Sequence, residues 1–112
     1  MPLSTVDFDQ LRAITSDDPI LMREVIALFL RDAPKRIERL RSALNCSDTS
    51  DCEQVAHSLV GICGTAGATS FAAVARGFER YAAARDLRRC RLALEQLAVE
   101  LENVRRDVIR LL

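Results

Sequence analysis

The sequence has no tryptophan, one tyrosine, one histidine, three prolines and four glycines in 112 residues. A single histidine and four cysteines without a C-x-x-C pair (Cys46, Cys52, Cys63 and Cys90) do not make a metal cluster of familiar spacing, and no bound cofactor is expected. With so little glycine there is no glycine-rich phosphate loop. There is also no G-K-[ST], and no Ser/His/Asp or Cys/His arrangement that spacing supports, so the chain is not expected to bind ATP by itself. Sixteen basic and sixteen acidic side chains cancel, which removes the whole-protein field that drives nonspecific binding to nucleic acid or anionic membranes. No apolar run approaches the roughly 20 residues of a membrane span. Met1-Pro2-Leu3-Ser4 lacks the basic segment and apolar core of a secretory signal. These absences point to a cytoplasmic protein with reduced cysteines, no nucleic-acid partner and no membrane insertion.

What is present is helical patterning. With 49% apolar residues the chain can fill one modest core, so residues 1–112 read as a single domain. Ser4, with Asp7 three residues on, can cap a short first helix whose apolar side is Val6, Phe8 and Leu11. Asp17-Asp18-Pro19 marks a second start. Met22, Ile26, Phe29, Ala33, Ile37, Leu40 and Leu44 then keep three-and-four spacing through Pro34, which predicts one helix kinked at that proline. A break there is the alternative. Asn45 to Ser50 is turn-like, and Thr49 or Ser50 can cap the next helix. A fourth helix follows Thr69 or Ser70, with Phe71, Val74, Ala75, Phe78 and Ala82 as its buried side. Near Arg85-Asp86 it gives way to a last one, where Leu87, Cys90, Leu94, Leu97, Leu101, Val104, Val108 and Leu111 form a bundle-type seam. The fold class is therefore all-α: an up-and-down four-helix bundle with a short extra N-terminal helix. That seam reads as intramolecular core, so a monomer is expected. The arginine groups Arg36/Arg39/Arg41, Arg85/Arg88/Arg89/Arg91 and Arg105/Arg106/Arg110 read as solvated helix faces.

The only histidine lies in the third helix. Cys52, Val55, Leu59, Ile62 and Ala66 mark its buried stripe, and Gly67 would close it as a left-handed residue. At about 100° per residue His57 lies roughly 160° from Leu59, on the water-facing side. Gly61 and Gly64 follow it along the same line. Each glycine inside a helix costs about 1 kcal/mol relative to alanine. Close helix packing or an unrecognised loop would account for them. So would a partner surface that must approach the imidazole without obstruction.

Ala56-His57-Ser58-Leu59, then Gly61, then Gly67-Ala68, resembles the signature of histidine-containing phosphotransfer (HPt) domains, A-H-x-L-K-G-x-x-x-x-x-G-A. One residue departs from it: Val60 stands where the family has a lysine. The resemblance implies that His57 accepts a phosphoryl group from an aspartate of a receiver domain, in a response regulator or a hybrid sensor histidine kinase, and passes it to another. The receiver would bring its own Mg²⁺. It further implies that Glu79, twenty-two residues after the histidine, orients the imidazole. Docking is expected on the small and apolar surface of Val60, Gly61, Gly64, Gly67 and Ala68. Arg76, one turn before Glu79, is a candidate for the charge missing at Val60. Free imidazole titrates near pH 6.5, at about the neutral range, so an exposed ring offers a lone pair without a dedicated base. Two readings stand: a phosphorelay intermediate, and a noncatalytic receiver-binding module that lost efficient transfer with Val60.

Overall fold

Helix starts in this chain follow its aspartates. The computed structural model describes residues 6–111 and is all-helical. Its elements are α1 (Phe8–Ile14), α2 (Pro19–Asn45), α3 (Thr49–Ala66), α4 (Thr69–Ala83) and α5 (Leu87–Val108), with a 3₁₀ turn at Ile109–Leu111 and no strand among the described residues. Asp7, Asp18, Asp48 and Asp86 each accept a backbone N–H from the first turn that follows them. A carboxylate there satisfies an orphan donor and also complements the positive end of the helix dipole. This corrects two expected caps. Asp7, not Ser4, caps α1, and Ser4 lies outside the described residues. Asp48, not Thr49 or Ser50, caps α3, so Thr49 becomes its first helical residue. Only α4 begins without a side-chain cap, at Ala68.

The helix α2 is continuous across Pro34. A proline there removes one N–H from the ladder, yet the apolar spacing carries on, and Ile26, Phe29, Ala33, Ile37, Leu40 and Leu44 are all buried. Each link between helices is short and contains a left-handed residue: Ser16 and Asp17, Ser47, Gly67, and Arg85. Consecutive helices therefore fold back on one another. α3 packs against α2 and α4, and α5 against α4 and α2, which closes the four long helices around one core. Phe29 of α2 meets Phe71 of α4 edge-on across that core, with ring centroids 5.4 Å apart. The buried face of α4 is Phe71, Ala72, Ala75, Gly77, Phe78 and Ala82, while Val74 is only half-buried. Arg23 of α2 donates to the carbonyl of Leu111, tying the start of α2 to the chain's far end.

The short α1 closes the same end of the bundle, against the C-terminus of α3. Leu11 is buried, and so is Thr15, whose hydroxyl donates to the Leu11 carbonyl. The amide of Asp7 donates to the Gly67 carbonyl at 2.7 Å. Gly67 has φ 67°, and a Cβ there would stand 2.7 Å from the Asp7 carbonyl oxygen. Two constraints thus coincide on one residue: a backbone conformation that favours glycine, and contact with α1 too close for a side chain.

Cys52, Cys63 and Cys90 are buried and Cys46 is exposed, all four as free thiols. Burial pushes the Cys52 thiol up to about 11 and the Cys63 thiol up to about 12, and raises Cys90 as well. Native protein at pH 8 should therefore release one rapid equivalent with a thiol reagent, from Cys46, and the rest only at the rate of unfolding. Gly67→Ala should destabilise the fold by about 1–3 kcal/mol through strain at positive φ and displacement of α1. A urea midpoint equal to that of the wild type would contradict this.

Candidate functional site

His57 lies in the middle of α3 on its outer face, with 78% of its side chain exposed. Its Nδ1 stands 3.0 Å from Oε2 of Glu79, which projects from α4 and is 30% exposed. An ionised carboxylate only accepts, so the contact fits the tautomer that carries its proton on Nδ1 and its lone pair on Nε2. The contact follows from the antiparallel pairing of α3 and α4 across the Gly67 turn. Counting back from that turn sets residue 79 opposite residue 57, and sets Arg76 opposite Val60.

The two glycines beside His57 are helical and open. A Cβ at Gly61 or Gly64 would meet nothing within 4 Å. Neither tight packing inside the molecule nor a loop explains them, which leaves an unobstructed ridge running along α3 from the imidazole. The Gly64 carbonyl accepts a hydrogen bond from Gln10 Nε2 of α1 at 3.1 Å, so α1 borders that ridge at its C-terminal end.

Other expected site residues fall elsewhere. Ala68 is fully buried and Gly67 is buried beneath Asp7, so neither forms docking surface. Their place in the motif is structural: they turn the chain from α3 into α4 and leave no room for larger residues. Val60 is half-buried and packs against the core rather than standing free. Arg76 is exposed, and its guanidinium counters part of the upward effect of burial on the Cys63 thiol, so its charge is felt one turn beyond Val60.

One contact next to the histidine escaped the sequence reading. Arg36 of α2 is not a solvated arginine: its Nε donates to Ser58 Oγ at 2.8 Å, and its side chain is 30% exposed. Asp32, one turn earlier on α2, approaches the Nη1 end at 3.9 Å. The only local signal in the sequence is the i,i+4 spacing of Asp32 and Arg36. Nothing in it indicates the reach across to α3. Among the described residues no group of His, Cys, Asp or Glu is arranged to hold a metal ion, and no helix is long and apolar enough to cross a membrane.

Comparison with known proteins bears on the fold and the family. In structure the chain resembles the crystal structure of histidine-containing phosphotransfer protein B (HptB) from Pseudomonas aeruginosa PAO1, with a TM-score of 0.84 and 24% identity over 97% of this chain and 95% of that one. No curated protein matches the sequence. The family model of the Hpt domain matches residues 24–107, from the first turns of α2 almost to the end of α5, with His57 and its glycine ridge inside that span. On that match the chain belongs to the Hpt domain family.

Proposed function

We propose that this protein is a histidine phosphotransfer intermediate of a two-component phosphorelay. It acts as a single-domain, monomeric, up-and-down four-helix bundle in the cytoplasm. His57 accepts a phosphoryl group from an aspartate of a receiver domain, in a response regulator or a hybrid sensor histidine kinase, and delivers it to another. The observation that carries this reading is the exposed imidazole whose Nδ1 is held by Glu79 while Nε2 faces solvent beside a ridge without side chains.

The chemistry follows from that arrangement. The Nε2 lone pair attacks phosphorus in line, the Nε2–P bond forms, and the acyl P–O bond breaks, returning the aspartate carboxylate. The Nδ1 proton stays in place, and the positive charge that develops on the ring is met by the Glu79 carboxylate 3.0 Å away. Delivery to the next aspartate is the same step reversed. No general base is needed, because the nucleophilic nitrogen carries no proton. The Mg²⁺ that neutralises the phosphoryl oxygens belongs to the receiver, so this chain supplies a positioned nucleophile and a surface. Glu79 is a positioning residue that selects the tautomer. Arg76, set opposite Val60, is one candidate for the charge that the family's lysine would supply.

Transfer from phosphorylated receivers should label the wild type with acid-labile, base-stable phosphate and leave His57→Gln unlabelled. Glu79→Ala should slow transfer by roughly ten- to a hundredfold. It should also move the long-range ¹H–¹⁵N signals of the single imidazole away from the Nδ1–H tautomer, a readout that a merely structural role would leave unchanged. Receiver binding without label on the wild type would favour the noncatalytic docking module, to which Val60 is the one pointer, and Val60→Lys would then be the variant to test. Gly64→Leu should weaken receiver binding by about tenfold with helicity intact, since its side chain meets nothing in the chain itself. Unaltered affinity would remove the ridge from the interface.

A further inference from the structure

The two long neighbours that flank α3 each reach it, at consecutive residues. Glu79, from α4, takes Nδ1 of His57. Arg36, from α2, takes the hydroxyl of Ser58. Successive residues of a helix are turned by about 100°, so Ser58 faces α2 while the imidazole leans toward α4. In an imidazole the two nitrogens point to opposite edges of the ring. With Nδ1 turned to Glu79, Nε2 and whatever it carries are directed away from α4, toward the side of α3 on which Arg36 is anchored.

Arg36 is built to stay there. Its Nε is held by Ser58, Asp32 stands by the Nη1 end at more than hydrogen-bonding distance, and the side chain is 30% exposed. A guanidinium has five N–H donors in a planar fork. Holding it at Nε leaves the Nη groups on the open side of the fork, the geometry suited to a phosphoryl group.

We propose that Arg36, anchored by Ser58 on the α2 side of His57, is the cation that meets the phosphoryl group carried on Nε2. This assignment rests on the phosphotransfer reading above. It places the compensating charge for Val60 on a different helix from Arg76. As the Nε2–P bond forms, two negative charges arrive on the three phosphoryl oxygens beside the ring. The Nη groups of Arg36 swing from Asp32 to those oxygens while Nε keeps its bond to Ser58. No bond to Arg36 forms or breaks and no proton moves, so the contribution is electrostatic and is made in both directions of transfer.

The test loads His57 chemically with phosphoramidate, which needs no receiver, and follows the arginine side-chain ¹H–¹⁵N resonances. The Arg36 guanidinium signals are expected to shift on loading, those of Arg76 less. In parallel, transfer from a phosphorylated receiver is timed. Arg36→Ala should slow it about tenfold and shorten the lifetime of the phosphohistidine, Arg36→Lys should recover part of both, and Ser58→Ala, which keeps the charge but frees the arm, should lie between. A thermal melt of each variant separates these effects from loss of fold. Arg36 signals that do not move on loading, with Arg76 signals that do, would overturn the assignment. So would transfer rates indifferent to Arg36→Ala. Failure of every receiver to label the wild type would instead count against the relay reading, and the phosphoramidate arm would still report on Arg36.

Discussion

The arrangement at His57 depends on one tight turn. Gly67 ends α3 in a left-handed conformation and Thr69 already begins α4, so only Gly67 and Ala68 separate two helices that must run back along each other. With so short a connection there is little freedom in register, and the pairing of residue 57, ten before Gly67, with residue 79, eleven after Ala68, is largely fixed by it. Asp7 lies against the same glycine, its amide bonded to the Gly67 carbonyl and its own carbonyl in the space a Cβ would occupy. A larger residue at 67 would disturb the turn, the seat of α1 and the line between His57 and Glu79 together.

A phosphoryl carrier needs a nucleophile that two different partners can reach, which rules out a cleft. The imidazole here stands on the outer face of a helix, its Nδ1 met by a glutamate of the neighbouring helix and with no side chains on the ridge beside it. The two glycines lower the helix propensity of α3 where nothing inside the molecule benefits. α3 tolerates this because Cys52, Val55, Ala56, Leu59, Cys63 and Ala66 are all buried against the other helices, and helix stability in a folded protein comes mainly from such packing. The cost of the ridge is thus carried by the core on the opposite face.

Ionic groups contribute here through direction more than through strength. Exposed pairs such as Arg39 with Asp51 and Arg41 with Glu38 lie at 3.4 Å on the surface, and pairs of that kind add little to stability. Four aspartates set where helices begin. One glutamate meets a single ring nitrogen of the histidine, Nδ1. One arginine, drawn from what reads as a solvated row, is turned inward onto the serine next to His57.

The sequence by itself determined the helices, the exposed histidine and the purpose of its glycines as an open question, because apolar spacing and turn residues act locally: the seam from Cys90 to Val108 and the left-handed closure at Gly67 are legible without a fold. It also determined Glu79 as a candidate, but only through resemblance to a family. Tertiary structure alone decided which partners meet across helices. It buried Ala68 and Gly67, which the motif had offered as surface, because the turn they form lies under α1. It left Gly61 and Gly64 open, because no neighbouring element comes within 4 Å of where their Cβ atoms would stand. It brought Arg36 to Ser58 across 22 positions of chain. Contacts between helices depend on rotation and register, which the packing of all four long helices sets jointly and which no stretch of the sequence specifies alone.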